Sequence, residues 1–521
     1  VDSILTATTA TSIAPPVSRA EPHVLSIPDA TALLPVTMLS AFVLGYHPYA
    51  EDAGIYMAGV KRLLDPSLFP IGAEFITGYT QLSFFGHLLA GLVRFTHLPI
   101  EWCAFGLHIF VLWLFLFGCL LLARKLFSST GMRWAAVITV SLCLGTPVAG
   151  TSLFLSDPYL TGRSFIAPLT LFAACAVLDR SWLRTLICIA AAALFHPLMA
   201  IYLAAIVFAL WIARWCRARW LLILPLIAIL SGAIITFSQR NVVESHAYVQ
   251  AVLTRTYFYL ESWHWYETLG ITLPILLLLI FAGMFRQNEN ARAVAVASAV
   301  AGISSALPSL IFVHRGSSSH MLARLQVLRE FQFIYLLMFL LVGAMVGRYF
   351  LRQSIWRWAV YIILLSAGLF IVQRATYPAS PQMQLPWREP LMLQNEQNDQ
   401  NQWLQAFLWI RANTPRDAVF ALDPHYINAV GEDAEGFRAT AERSALADYS
   451  KDGGAAAIFP DLAEKWQREN AAADGINLMS DAERRARLVP LGATWVVLSH
   501  SAVTAFDCPY NNHTVAVCRM L

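Results

Sequence analysis

Apolar segments long enough to cross a bilayer recur along this chain, and the basic residues between them alternate by side. Thirteen Lys or Arg residues fall in five short gaps: Arg124, Lys125 and Arg133; Arg180 and Arg184; Arg214, Arg217 and Arg219; Arg286 and Arg292; Arg348, Arg352 and Arg357. Those gaps hold only two acids, Asp179 and Glu289. Cationic loops stay cytoplasmic during insertion. The intervening loops, which carry nearly all the other acids of this region and most of its histidines, are therefore expected outside. Composition agrees: 57% of the 521 residues are hydrophobic and 13% are charged, where a soluble domain carries about 25% charged residues. The net charge of +3 is segregated by side and says little about partners. With no basic tail or nucleic-acid motif, nucleic acid is excluded as a partner.

The expected class is a polytopic α-helical membrane protein. Candidate spans are 31–46, 102–123, 134–154, 164–179, 184–196, 198–213, 220–237, 269–285, 293–313, 331–347 and 358–374. The stretch 80–97 is apolar but carries Gln81, His87, Arg94 and His97. If it crossed, with the N-terminus inside, every later arginine gap would move outside. Lying in the interface instead, it leaves about 11 transmembrane helices, N-terminus cytoplasmic and C-terminus extracytoplasmic. The segment 183–213 is too long for one crossing at about 1.5 Å per residue, and His196–Pro197 breaks it into a hairpin, because proline removes a donor and disfavours continuous helix. Residues 1–30, rich in Thr, Ala and Pro, read as a disordered cytoplasmic tail.

Beyond Arg374 the composition changes. Residues 375–402 form a linker rich in Gln, Asn and Pro, and 403–521 read as a small α/β extracytoplasmic domain. There QWLQAFLWIRANTP has helical spacing, SDAERRARLVP is a helix capped by Ser480, and AVFALDP, ATWVVLS and HTVAVC read as strands. Cys508 and Cys518 are a plausible disulfide in an oxidising compartment. The other six cysteines lie in or beside apolar segments as small hydrophobes.

Candidate chemistry sits in the outer loops. In the first (47–101), Glu51 and Asp52 follow the first span, and Ala50–Leu64 reads as a short helix with Asp52 and Tyr56 on one face. A carboxylate there can act as a general base toward a hydroxyl, or hold a divalent metal (Mg or Mn) with a phosphate, or merely complement a helix dipole. Lys61 and Arg62 read as interface cover. In the second loop Asp157 and Arg163 flank a turn; they pair with each other, or Arg163 meets an anionic headgroup. His196 is a turn residue or a base. In 314–330, Arg324 and Arg329 oppose the charge rule on an apolar helix, and they either pair with acids or grip a lipid phosphate. The aromatics of TRTYFYLESWHWYETLG fit an interfacial belt or sugar stacking. In the C-terminal domain Asp423, His425, Glu442 and Arg443 read as solvated surface or as a cleft lining.

The acidic stretch EDAGIY at Glu51–Tyr56, a long first outer loop, many spans, an outer C-terminal domain, and LQVLRE at Leu325–Glu330 together make residues 31–374 resemble the GT-C superfamily of integral-membrane glycosyltransferases. The resemblance implies sugar transfer from a polyprenyl-phosphate-linked donor to a glycan, lipid or protein acceptor. It casts Asp52 or Glu51 as the acceptor-activating carboxylate, with Arg324 or Arg329 on the donor phosphate. The oligosaccharyltransferase-like WWD signature is missing from the chain. The layout also resembles that of bacterial multi-pass proteins, implying the plasma (inner) membrane. The competing expectation is a non-enzymatic multi-pass subunit, or a transporter, whose outer domain binds a partner. The sequence shows no internal repeat of spans and few charges within them, which speaks against transport.

Overall fold

In the computed structural model the described residues are 27–216, 218–378, 380–386, 399–429, 432–433 and 436–520. Most of the expected N-terminal tail, and linker residues 379 and 387–398, lie outside them.

Seven helices are long and apolar enough to cross a membrane: Ile100–Leu126, Pro197–Trp215, Trp220–Ser238, Trp265–Met284, Glu289–Phe312, Met321–Leu351 and Ile355–Thr376. Asp29–Leu44, Gly162–Leu178 and Trp182–Phe195 are apolar but shorter. The expected span 134–154 is cut short: its helix, Thr130–Leu142, has 13 residues, a rise of about 20 Å against the roughly 30 Å of a hydrocarbon core. Beyond it the chain folds back on itself, with Val148 N–H donating to Leu153 O (2.8 Å) and Leu155 N–H to Thr146 O (3.0 Å). Seven of the eleven expected spans thus reach full crossing length among the described residues, and the other four form shorter helices.

The stretch 80–97 is divided between two helices, Glu74–Leu82 and Phe85–Thr96, broken at Ser83. It does not cross. The Tyr49 hydroxyl donates to Glu101 Oε1 at 2.8 Å, so the two ends of the first loop meet. Helices Trp182–Phe195 and Pro197–Trp215 share His196 as C-cap and N-cap, and its Nδ1 accepts from Met199 N–H at 3.3 Å.

The arginine-rich gaps converge at one end of the bundle. Arg124 pairs with Asp29 and Lys125 with Asp179. Arg214 pairs with Glu289 at 2.9 Å, and Asn290 Nδ2 donates to Lys125 O at 3.0 Å. Both acids of those gaps are used as local counterions there. The central helix Glu289–Phe312 is rich in Ala, Ser and Gly. Small residues let helices approach closely where lipid offers no hydrophobic drive, and this helix packs chiefly against Pro197–Trp215, Ile223–Ser238, Trp265–Met284 and Phe331–Val346. The outermost helix leaves Ile355, Ile363, Leu364 and Ile371 exposed, as a lipid-facing surface requires.

The C-terminal part opens with helix Asp399–Asn413 and builds a five-stranded sheet. Strand Val419–Ala421 lies between Ser444–Ala445 and Trp495–Ser499, parallel to both; Val515–Arg519 and Asp507–Asn511 continue the sheet antiparallel. Cys508 and Cys518 are bonded across this last pair. Ser480 caps Asp481–Leu488 by accepting from Glu483 N–H.

This domain sits directly on the first loop. Lys61 donates to Glu442 and to Ala439 O, both at 2.7 Å, so it docks the two parts together instead of covering the interface as expected. Arg416 pairs with Asp65 at 2.8 Å, Lys451 with Glu51 at 3.2 Å, and Lys465 with Glu74. The first loop and the C-terminal domain therefore lie on the same side, opposite the arginine-rich end.

Candidate functional site

Three loops come together at the first turn of helix Ala53–Leu64. His47 N–H donates to Pro158 O at 2.8 Å, tying the start of the first loop to the second. Gln332 Nε2 donates to Phe154 O (3.0 Å) and Leu155 O (3.2 Å), tying the second loop to the segment that carries Arg329. The third contribution is the turn Gly162–Phe165, where Thr161 N–H donates to Ser164 Oγ at 3.1 Å, a serine version of the capping box. Gly162 is required there: a Cβ would stand 2.6 Å from Phe195 O and 2.7 Å from Ser83 Oγ.

These ties gather most of the candidate residues. Arg163 donates from Nε (3.0 Å) and Nη2 (2.8 Å) to Asp157 Oδ2, and from Nη1 (3.2 Å) to Asp52 Oδ2. The guanidinium thus bridges two carboxylates from different loops. Asp157 and Arg163 are 5% and 6% exposed, whereas the Asp52 side chain keeps 42% of its surface accessible. Asp52 is the member of the triad that a substrate can reach. Burial by itself would raise the Asp52 carboxyl, but the charges of Arg163, Lys451 and Arg329 outweigh it and hold the group down at about 2. Burial pushes Asp157 up from its ordinary value, against the pull of Arg163. Tyr56, on the same helix face as Asp52, is pushed up to about 12 by burial and by the Asp52 charge, so it stays a neutral phenol. The charges of Arg163 and Arg329 also reach His196.

Arg329 is near enough for its charge to act on Asp52, Tyr56 and Asp157. Its guanidinium lies 5.1 Å from the Tyr257 ring centroid. Among the described residues, Arg329 Nε and Asp157 Oδ1 are buried without a hydrogen-bond partner. An unsatisfied donor on a charged side chain is costly, and an anion placed there relieves it.

Two expected members stand apart. Arg324 and Arg329 were expected on one continuous helix, but Gln326 has φ 49° and separates Met321–Arg324 from the turn Val327–Glu330. Arg324 consequently points to the C-terminal domain and donates to Ile458 O at 3.4 Å. Glu51, itself at φ 49°, pairs with Lys451 and acts as a docking residue beside the centre. His425 stacks on Tyr449, Glu442 pairs with Lys61, and Arg443 donates to Thr414 O and Arg411 O.

A divalent ion does not fit the triad as arranged, because the Arg163 cation already fills the space between its carboxylates. Among the described residues, no group of three or more His, Cys, Asp or Glu is placed to hold a metal.

Several site members carried no sequence signal. Lys451 comes from a domain about 400 residues away, Gln332 lies in an apolar run, and Tyr257 is one aromatic among many. The aromatic loop divides: Trp265 and Tyr266 are exposed as a belt residue would be, while Phe258 and Tyr259 are buried against the C-terminal domain.

Fold and site together define a polytopic helical membrane protein with a charged centre at one end, covered by a small α/β domain. Residues 401–468 match the family model described as "Domain of unknown function (DUF6798)". No curated protein matches the chain in sequence. Among solved structures it is similar to the archaeal oligosaccharyltransferase AglB from Archaeoglobus fulgidus, in complex with an inhibitory peptide and a dolichol-phosphate. That likeness has 11% identity and a TM-score of 0.45, over 91% of this chain and 69% of that one. At that identity and score it assigns no role to any residue here.

Proposed function

We propose that the chain is a membrane glycosyltransferase of GT-C type, moving a sugar from a polyprenyl-phosphate donor to an extracytoplasmic acceptor. The observation that carries this reading is an accessible, ionised Asp52 within the field of Arg329, whose Nε is buried without a hydrogen-bond partner among the described residues. A polyprenyl-phosphate sugar keeps its tail in lipid and its anomeric carbon at the interface, the depth this reading assigns to the centre. The acceptor oxygen attacks the anomeric carbon and gives its proton to Asp52. The bond from that carbon to the phosphate oxygen breaks, and the phosphate leaves with the electron pair, its charge met by Arg329. Arg163 orients Asp52, and Asp157 fixes Arg163.

A carboxylate held near 2 is ionised at neutral pH but is a weak base. The donor phosphate corrects this: an anion seated against Arg329 offsets part of the cationic field and raises the basicity of Asp52. Deprotonation is thereby coupled to donor binding, which suppresses idle turnover. The reading is tested by comparing the glycolipids and glycans of a strain lacking this protein with those of its parent. Loss of one glycosylated species, with accumulation of its unglycosylated precursor, supports it; identical profiles overturn it.

A further inference from the structure

The hairpin tip at His196 is fastened to the reaction centre, and the transfer reaction as proposed leaves its imidazole unused. Ser83 Oγ donates to Phe195 O at 2.6 Å, and Phe84 N–H to Leu194 O at 2.8 Å. These bonds tie the end of helix Trp182–Phe195 to the first loop. Phe195 stacks on Phe165 at 4.2 Å, and its carbonyl oxygen lies against Gly162, the residue before Arg163. His196 therefore stands beside the turn that presents Arg163. Phe84 and Leu194, next to it, are 48% and 62% exposed, so one side of the tip is apolar surface of the kind a lipid chain covers.

The backbone fixes where the imidazole carries its proton. His196 caps helix Pro197–Trp215, and its Nδ1 accepts from Met199 N–H at 3.3 Å. A ring nitrogen that accepts carries no proton, so in the neutral ring the proton is on Nε2. The side chain makes no other hydrogen bond among the described residues, and the residue is only half-buried. Burial first, then the charges of Arg163 and Arg329, lower the imidazole to about 3, against the opposing charge of Asp52. At neutral pH the ring is thus uncharged and held in one tautomer, with Nδ1 occupied by the cap. That removes the role of base and leaves one free N–H donor in the field of Arg163 and Arg329. Arg329 Nε is itself buried with no hydrogen-bond partner among the described residues. Two unused donors in one cationic field suit an anion.

We infer that His196 is a substrate-binding residue whose neutral Nε2–H donates to a phosphate oxygen of the lipid-linked donor, together with Arg329. The inference rests on the glycosyltransferase reading and adds a residue to its donor contacts. A neutral N–H grips phosphate without adding a further positive charge to Arg163, Lys451 and Arg329, which already hold Asp52 down. The lipid chain of such a donor lies along Phe84 and Leu194. A free phosphate shares the headgroup chemistry but has no chain to place there.

The test uses the full chain in lipid nanodiscs, with polyprenyl monophosphate as the probe and binding followed by native mass spectrometry. Two variants keep the helix cap and remove the N–H donor, since Ser and Asp are both strong caps. His196→Ser binds the probe about tenfold or more weakly than the parent. His196→Asp, which adds a negative charge, binds it more weakly still. Thermal unfolding of each variant checks its fold, and either variant alone suffices. Between about pH 5 and 8 the profile of donor turnover keeps one shape in the parent and His196→Ser, because a ring held neutral does not titrate there. Parental binding in a folded variant leaves only a cap and overturns the inference. A pH limb that His196→Ser abolishes makes the residue a base and overturns it too. Displacement of the probe by an equal concentration of inorganic phosphate overturns the lipid-linked source. Donor consumption is read separately. Weakened binding in the variants, with no donor consumption by the parent, keeps the phosphate contact and overturns the enzyme reading. Donor consumption with binding unchanged in the variants keeps the enzyme reading and overturns the contact.

Discussion

Replacing Arg163 with Met separates structural from functional use of the triad. In the intact site two guanidinium nitrogens donate to Asp157 Oδ2, at 3.0 and 2.8 Å, in a pair only 5% and 6% exposed. Removing one partner of such a pair strands a buried charge and costs about 3–5 kcal/mol. Arg163→Met alone should therefore unfold markedly earlier than the parent. Adding Asp157→Asn removes the stranded carboxylate and should restore stability to within about 1–2 kcal/mol of the parent. Function should not return. Asp52 loses its 3.2 Å hydrogen bond and its strongest cationic neighbour, so its carboxyl climbs from about 2 to the ordinary value near 4 or above. In the parent, kcat/KM has no acid limb between about pH 4 and 7 from this group; in the double variant such a limb appears. Misplacement of the carboxylate lowers transfer at neutral pH roughly tenfold to hundredfold. Release of polyprenyl phosphate against pH, with unfolding measured alongside, reads both effects. A stable double variant with parental rates and a flat acid side would refute the catalytic role of Arg163 and leave only an ion pair.

Arg329→Met should raise the donor KM about tenfold to hundredfold by removing a charge-assisted contact to phosphate. Its stability should change little, since Arg329 Nε has no hydrogen-bond partner among the described residues; an unchanged KM rejects the phosphate role. Because the folded-state Asp52 carboxyl is lowered, its contribution to stability is complete above about pH 4 and is lost as pH falls toward 2. Acid unfolding of Asp52→Asn should accordingly be less steep over that window, and identical curves contradict the ionised assignment. Breaking the Cys508–Cys518 link, which closes a separation of 10 residues, should cost about 2–3 kcal/mol on loop-closure grounds, read as earlier unfolding of Cys508→Ser under oxidising conditions. Reporter fusions after Glu51 and after Cys518 should emerge on one side of the membrane, as the Glu51–Lys451 contact demands; opposite sides dissolve the site.

Periodicity and charge alternation carry far in this chain because lipid forces backbone groups to be satisfied within each segment. Most helix positions and the break at His196–Pro197 follow from local composition. Thr130–Leu142 escapes such reasoning: apolar residues continue to Phe154, but the TPVAGTS turn folds the chain back, and hydropathy does not register a turn made of small residues. The site divides in the same way. Asp52, Asp157 and Arg163 are visible as charges in short outer loops, yet their convergence depends on the His47–Pro158 and Gln332–Phe154 hydrogen bonds, which join segments far apart in sequence. Spacing on a presumed helix put Arg324 and Arg329 together; the left-handed Gln326 separates them, and no property of a glutamine announces that conformation. An exposed Asp52 beside a buried ion pair also weighs against a purely architectural outer face, where all three groups would be closed off.

The most direct measurement is release of polyprenyl phosphate from a panel of polyprenyl-phosphate sugars by the purified chain in nanodiscs, run beside Asp52→Asn. The Asp52 side chain is 42% exposed, so the amide should leave the fold intact while removing the proton acceptor. The account predicts acceptor-dependent release by the parent on at least one donor and none above background by Asp52→Asn. Equal release by both proteins, or none by the parent on any donor with acceptor present, contradicts it.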